Sequence, residues 1–156
     1  MIRAWRIVRS QRIASAFDGE GARLYPGRWN DRGSPVVYAA SSLALAALEI
    51  LVHLEDQELL AREFVGIPVD FPDGACHRTD PQSLPDGWDA EPPGEASRRV
   101  GRAWLEANSR PALSVPSVVI TLETNYLLNP RHPDFAKRIT VGQPHPFHFD
   151  PRLHPA

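Results

Sequence analysis

Three residues in the first third of this chain place reactive groups in apolar company. Arg28 lies in G-R-W-N (27–30), Tyr38 in V-V-Y-A-A (36–40) and Glu49 at the end of S-S-L-A-L-A-A-L-E (41–49). Glu49 is the sharpest case, because it is the only charge between Ser42 and His53 in a run of Leu, Ala, Ile and Val. A carboxylate in such a run is costly to bury unless it is paired or in use. On a helix its same-face neighbours are Leu45, Ala46, Val52 and His53, with Ser42 two turns upstream on the same side. The residues alone leave two readings open: a structural ion pair, or a carboxylate kept at the edge of the core to act on a ligand.

The other candidates carry the same pair of readings. Arg28 follows Gly27, which lets a ligand come close to the backbone, and precedes Trp29, which can anchor the loop. A guanidinium there suits a phosphate or carboxylate held by two parallel hydrogen bonds; it is equally an ordinary surface arginine. Arg6, inside a short apolar strand, is a second group of this kind. Tyr38 on its strand is either a core aromatic or a ring that stacks on a flat ligand. Ser117, in S-V-P-S-V-V-I, lacks a G-x-S-x-G elbow, so it is a ligand donor or a plain strand serine rather than a hydrolase nucleophile. His145 and His148 have H-x-x-H spacing but no further ligands, a weak metal signal. Neither a G-x-G-x-x-G turn nor a Walker-type loop occurs, so a nucleotide would not be held by those devices.

These residues need elements to position them. Ile2–Val8 reads as a strand, 10–28 as a Gly-containing loop with one turn, and Pro35–Ala40 as a short apolar strand. A helix capped by Ser41 or Ser42 should run to about Glu55. Glu63–Val69 reads as a strand that Pro68 confines to an edge or a terminus. Residues 71–93 read as an irregular loop. Glu95–Asn108 reads as a helix with Ala96, Val100, Ala103, Trp104 and Ala107 on its apolar face. Leu113–Leu122 reads as a strand broken at Pro116, and 126–134 as turns. Ile139–Val141 and Pro146–Phe149 read as final short strands. Without regular alternation of strands and helices, this pattern predicts an α+β fold with a mixed or largely antiparallel sheet.

The chain has 156 residues, enough for one domain with a real core, so residues 1–156 are read as a single unit. A net charge of −2 argues against electrostatic wrapping of nucleic acid and leaves room for small anions met by a few arginines. One cysteine excludes an internal disulfide framework and a thiolate zinc cluster, which fits a reducing cytoplasm. No apolar segment follows the basic start, so no signal peptide is expected. The longest apolar run is too short for a membrane span. The 16 prolines predict many loops and short strands.

Taken in order, G-R-W-N, V-V-Y-A-A, A-A-L-E and V-P-S-V-V, together with A-W-R around Arg6 and N-P-R-H-P-D-F (129–135), resemble the RES domain family, the toxin half of bacterial RES–Xre toxin–antitoxin pairs. The resemblance spans residues 4 to 140. The Pro- and His-rich segment after it departs from the pattern and is given no role. The resemblance implies a mixed, split β-sheet flanked by helices, similar to ADP-ribosyltransferase toxins, with NAD+ bound in its cleft as substrate. It implies no cofactor and no metal. The implied reaction is cleavage of the nicotinamide–ribose bond by hydrolysis or phosphorolysis, with phosphate as one candidate acceptor. Protein ADP-ribosylation by the same site, and a non-catalytic interaction module on this fold, are the alternatives. The implied partner is an Xre-like helix-turn-helix antitoxin that covers the active site. In this scheme Glu49 stabilises the ribose cation, Arg28 and Arg6 grip phosphate, and Tyr38 and Ser117 contact nicotinamide or ribose. Arg28, Tyr38, Glu49 and Ser117 are the expected catalytic set, with Arg6, Arg28, Tyr38 and Ser117 binding NAD+.

Overall fold

The computed structural model describes residues 1–54 and 61–153. Its strands are β1 (Ile2–Arg9), β2 (Val37–Ala40), β3 (Phe64–Phe71), β4 (Cys76–Arg78), β5 (Ala112–Pro116), β6 (Thr124–Leu128), β7 (Thr140–Val141) and β8 (His145–Phe147). Its helices are α1 (Glu20–Leu24), α2 (Leu43–Leu51), α3 (Glu95–Ala107) and α4 (Phe135–Arg138). The strands join in the order β4-β5-β6-β2-β1-β3-β7, and β8 also pairs with β3. Only β4 and β5 run parallel; every other pairing is antiparallel. The fold is thus α+β with a mixed sheet, as the sequence pattern predicts.

The sheet is nearly divided at one seam. β1 and β3 pair along eight residues, from Ile2↔Phe71 to Arg9↔Phe64. β2 and β6 pair along four, from Val37↔Leu128 to Ala40↔Asn125. Between β1 and β2 there is a single registered pair, Trp5↔Ala40. The halves β4-β5-β6-β2 and β1-β3-β7/β8 therefore meet at one point and open elsewhere, which is the split the family resemblance implies.

Alternation along the strands sorts the core onto two faces. Ile2, Ala4, Val37, Ala39, Ala112 and Leu128 pack together on one face with Val69 and Phe71. The opposite face carries Ile7, Ala40 and the buried Leu45, Ala46 and Ala47 of α2 on one side of the seam. On the other side it carries Val36, Leu113, Val115 and Leu127 under Trp29 and Trp104. Tyr38, Glu49 and Ser117 belong to this second face, whereas Arg6, in step with Ile2 and Ala4 and paired across to Ile67, belongs to the first.

Several expectations change in detail. α2 starts at the predicted cap, with Ser42 Oγ accepting from the Leu45 N–H at 3.0 Å. It ends at Leu51, and the expected terminus at Glu55 falls outside the described residues. β3 is an interior strand, not an edge. Its outer neighbours change at Pro68: β8 covers 64–66, β7 covers 69–70, and between them the Gly142 N–H donates to the Pro68 carbonyl. The missing proline N–H thus falls where the ladder is already interrupted. A short strand, β4, lies within the expected loop 71–93. The segment Leu113–Leu122 ends as a strand at Pro116, and Thr124–Leu128 is a strand where turns were expected from Tyr126. α3 buries Ser97, Gly101 and Trp104, while Ala103 and Ala107 are exposed. Its inner face is rotated toward small and polar residues, because a loop backbone, not an apolar surface, packs against it.

Candidate active site

Glu49 lies on the side of α2 that faces the β5–β6 connection. Its Oε1 accepts from Ser117 Oγ and from Asn125 Nδ2, each at 2.7 Å. Among the described residues Glu49 has no ion pair, and its Oε2 has no hydrogen-bond partner. A half-buried carboxylate is therefore held by two neutral donors on one oxygen, leaving the other oxygen available. Of the two readings of Glu49, the structural ion pair has no partner among these residues.

Ser117 sits one residue beyond β5 and is fully buried. Its hydroxyl gives its one proton to Glu49 and accepts the N–H groups of Val119 and Ile120 at 3.1 and 3.0 Å. Pro116 ends the strand and the chain turns at once, so Ser117 fixes both the turn and the carboxylate.

Tyr38 faces the same side of the sheet, paired across to Leu127. Its hydroxyl donates to Asn30 Oδ1 at 2.7 Å and accepts from the Trp29 N–H at 3.1 Å. Burial holds the phenol well above its usual titration range, partly opposed by the Trp29 N–H and by Arg28. Asn30 is fully buried and completes the knot: Oδ1 also accepts from the Gly27 N–H, and Nδ2 donates to the Ala22, Asp31 and Ser34 carbonyls. Gly27 is required here, because a Cβ would come within 2.8 Å of the tyrosine hydroxyl.

α3 closes the other side of this loop. Ser97 Oγ donates to the Arg28 carbonyl at 2.7 Å, and Arg102 grips Asp31 through two hydrogen bonds of 2.7 and 3.0 Å. That guanidinium lowers the titration range of the Asp31 carboxyl. At Gly101 a Cβ would fall on the Trp29 carbonyl. Trp29 stacks on Trp88 with ring centroids 5.8 Å apart.

The two arginines are placed differently. The Arg28 side chain is only 13% exposed and donates to the carbonyls of Trp88 and Ala90 at 3.1 and 2.6 Å. It also pairs with Glu91 at 2.9 Å, a carboxylate that is 71% exposed. Arg6 is buried at the seam, donating to the Ala16 carbonyl at 2.6 Å and to the Tyr38 carbonyl at 2.8 Å. Among the described residues it has no ion pair. Burial pulls its titration down to about 10, and the charge of Asp18 opposes this.

The structure thus brings Glu49 and Ser117 into direct contact, ties Arg6 to the Tyr38 carbonyl, and links Tyr38 to the Arg28 loop through Asn30. Neither arginine forms an ion pair with Glu49. Asn125 and Asn30 were missed in the sequence. Asn125 carried a signal: an amide in a strand otherwise built of Thr, Tyr and Leu, in step with the inward Leu127. Asn30 carried only its place in G-R-W-N. Among the described residues no three His, Cys, Asp or Glu side chains gather as a metal site. No helix among them is long and apolar enough to cross a membrane. A groove of about 500 Å³ opens beside α3 and the β4–β5 edge, lined by residues such as Arg78, Asp80 and Trp104, and none of the five candidates lines it.

A nearly divided mixed sheet, with a helix carboxylate clamped beside the seam, defines a split-sheet α+β architecture. A chain from the crystal structure of the M. tuberculosis MbcT–MbcA toxin–antitoxin complex has the same fold, with a TM-score of 0.72 and 20% identity over 97% of this chain and 86% of that one. Residues 3–150 match the RES domain, and the chain belongs to that family. A Yersinia enterocolitica protein named Toxin Res is 41% identical over 149 residues, covering 96% of this chain and 97% of its own length. A Sphingobium protein named Prs ADP-ribosylating toxin is 42% identical over 154 residues, covering 96% of this chain and 94% of its own.

Proposed function

We propose that this chain is the toxin of a toxin–antitoxin pair and that it consumes NAD+ by breaking the nicotinamide–ribose bond. The observation that carries this reading is the Glu49 carboxylate, unpaired among the described residues, aimed by Ser117 and Asn125 and with one oxygen left over. In the reaction the bond from the ribose anomeric carbon to the ring nitrogen breaks, and its electron pair leaves with nicotinamide, neutralising the ring charge. The ribose becomes oxocarbenium-like, as in glycoside cleavage. A fixed, half-buried carboxylate stabilises that cation without having to reorganise. Arg28 holds the pyrophosphate by exchanging its exposed partner Glu91 for a ligand oxygen. Arg6 supplies positive charge at the seam, and the Tyr38 ring offers a flat surface. Water or phosphate captures the cation. A helix-turn-helix partner of the Xre type neutralises the toxin in the cytoplasm.

The test is product analysis of NAD+ turnover by the purified chain, with and without phosphate. Free nicotinamide should appear with either ADP-ribose or its phosphorylated product, and Glu49→Gln should lower the rate by about a hundredfold or more. A Glu49→Gln protein that turns over NAD+ like the wild type overturns the reading. The name of the Sphingobium relative favours a second acceptor, a protein side chain. Mass spectrometry of cell protein after expression separates the two: one abundantly ADP-ribosylated target supports transfer, and free products without adducts support degradation.

A further inference from the structure

Beside Glu49 lies a polar atom that has no partner. Asn125 Oδ1 is buried without a hydrogen bond, and among the described residues it is the one buried side-chain nitrogen or oxygen in that state. Such a carbonyl is destabilising, because it has lost water and gained nothing in exchange. The other half of the same amide points at Glu49, with Nδ2 donating to Oε1 at 2.7 Å. Turning the amide over would set its carbonyl against the carboxylate oxygen, so the charge of Glu49 fixes which way Asn125 faces. An asparagine kept for structure alone has both ends bonded, as Asn30 does in the same fold. Asn125 is bonded only where it meets the carboxylate.

The surroundings are equally one-sided. Asn125 is flanked in register by Ala40 on β2 and Val115 on β5, neither of which offers a side-chain partner. Ser117, the other donor to Oε1, lies across the β5–β6 connection, where its N–H donates to the Glu123 carbonyl. The two feet of one hairpin therefore converge on a single carboxylate oxygen. From this we infer that Asn125 is a positioning residue for the reaction: with Ser117 it locks the Glu49 side chain in one rotamer and directs Oε2 toward the substrate. The inference deepens the proposed function and rests on it for its kinetic part. Its structural part, that the amide sets the carboxylate's direction, stands without it.

The experiment pairs steady-state NAD+ kinetics with crystal structures of the wild type, Asn125→Leu and Asn125→Ala. Leu keeps the volume and removes the donor; Ala keeps the test open if Leu does not fit. Expected is a fall in kcat of about tenfold or more with KM within about threefold, the signature of losing a contact that matters in the transition state. In the structures the Glu49 carboxylate should leave its wild-type direction. Unchanged kcat, or a raised KM with kcat unchanged, overturns the positioning role, as does a Glu49 rotamer identical in all three structures. If the wild type itself consumes no NAD+, the proposed function fails, and the rotamer comparison alone decides for or against Asn125.

Discussion

At the scale of single residues, the site separates groups that face outward from groups that hold them. Tyr38 combines both. Its ring is packed with Trp29, Val36 and Leu127, and its hydroxyl joins the Trp29 N–H to Asn30. Replacing it by Phe keeps the ring and removes the knot, leaving a buried N–H and an amide oxygen short of a partner. The expected loss is about 1–3 kcal/mol, read from the denaturant midpoint. If the ring alone serves the ligand, Tyr38→Phe should keep turnover within a few fold of wild type while Tyr38→Leu loses it. A Phe variant as inactive as Leu assigns the hydroxyl, through the 27–30 loop, to activity as well.

At the scale of elements, α3 shows how local propensity yields to contact. Gly101 is in the middle of this 13-residue helix, where Ala is ordinarily better by about 1 kcal/mol. Here the helix backbone lies against the Trp29 carbonyl, so a Cβ forces α3 away from the loop that carries Arg28. Gly101→Ala should therefore destabilise by about 1–3 kcal/mol, measured by thermal or denaturant unfolding, and lower NAD+ turnover with it. A more stable Gly101→Ala protein shows that the loop yields freely and is not held by α3. The same close approach explains what the sequence could and could not reveal. Strands β1, β2 and β3, the Ser42 cap and the helix carrying Glu49 were legible, because apolar runs and cap chemistry act locally. The inner face of α3 was not, because Ser97 and Gly101 are buried for what they touch, not for their hydropathy. Pro68 suggested an edge, since nothing local tells that two short strands divide one side of β3 between them. Asn125 fell between the expected strand at 113–122 and the expected turns from 126, and was given no role. Its partner Glu49 lies 76 residues away, a distance no periodicity spans.

At the scale of the whole molecule, the seam between the half-sheets is the line along which the fold is least bonded. One registered pair, Trp5↔Ala40, joins β1 to β2, and the Arg6 guanidinium adds a side-chain bridge from β1 to the Tyr38 carbonyl and the Ala16 carbonyl. A buried guanidinium with two backbone acceptors and no ion pair among the described residues is an expensive way to close a sheet. Its desolvation is visible in the lowered titration noted above, so removing the charge relieves one term while orphaning two carbonyls. Arg6→Met should therefore change global stability little, because the two effects oppose each other. Its effect should instead be local. Amide hydrogen exchange should speed up by about tenfold or more at the β1–β2 seam, around Ala40, while the eight-residue β1–β3 ladder keeps its protection. Exchange that rises equally in both half-sheets means that Arg6 supports the entire sheet, and exchange unchanged at the seam means that Trp5↔Ala40 alone closes it. Only the local outcome makes the seam a place where the two halves can part, with Tyr38 on one side and Arg6 on the other.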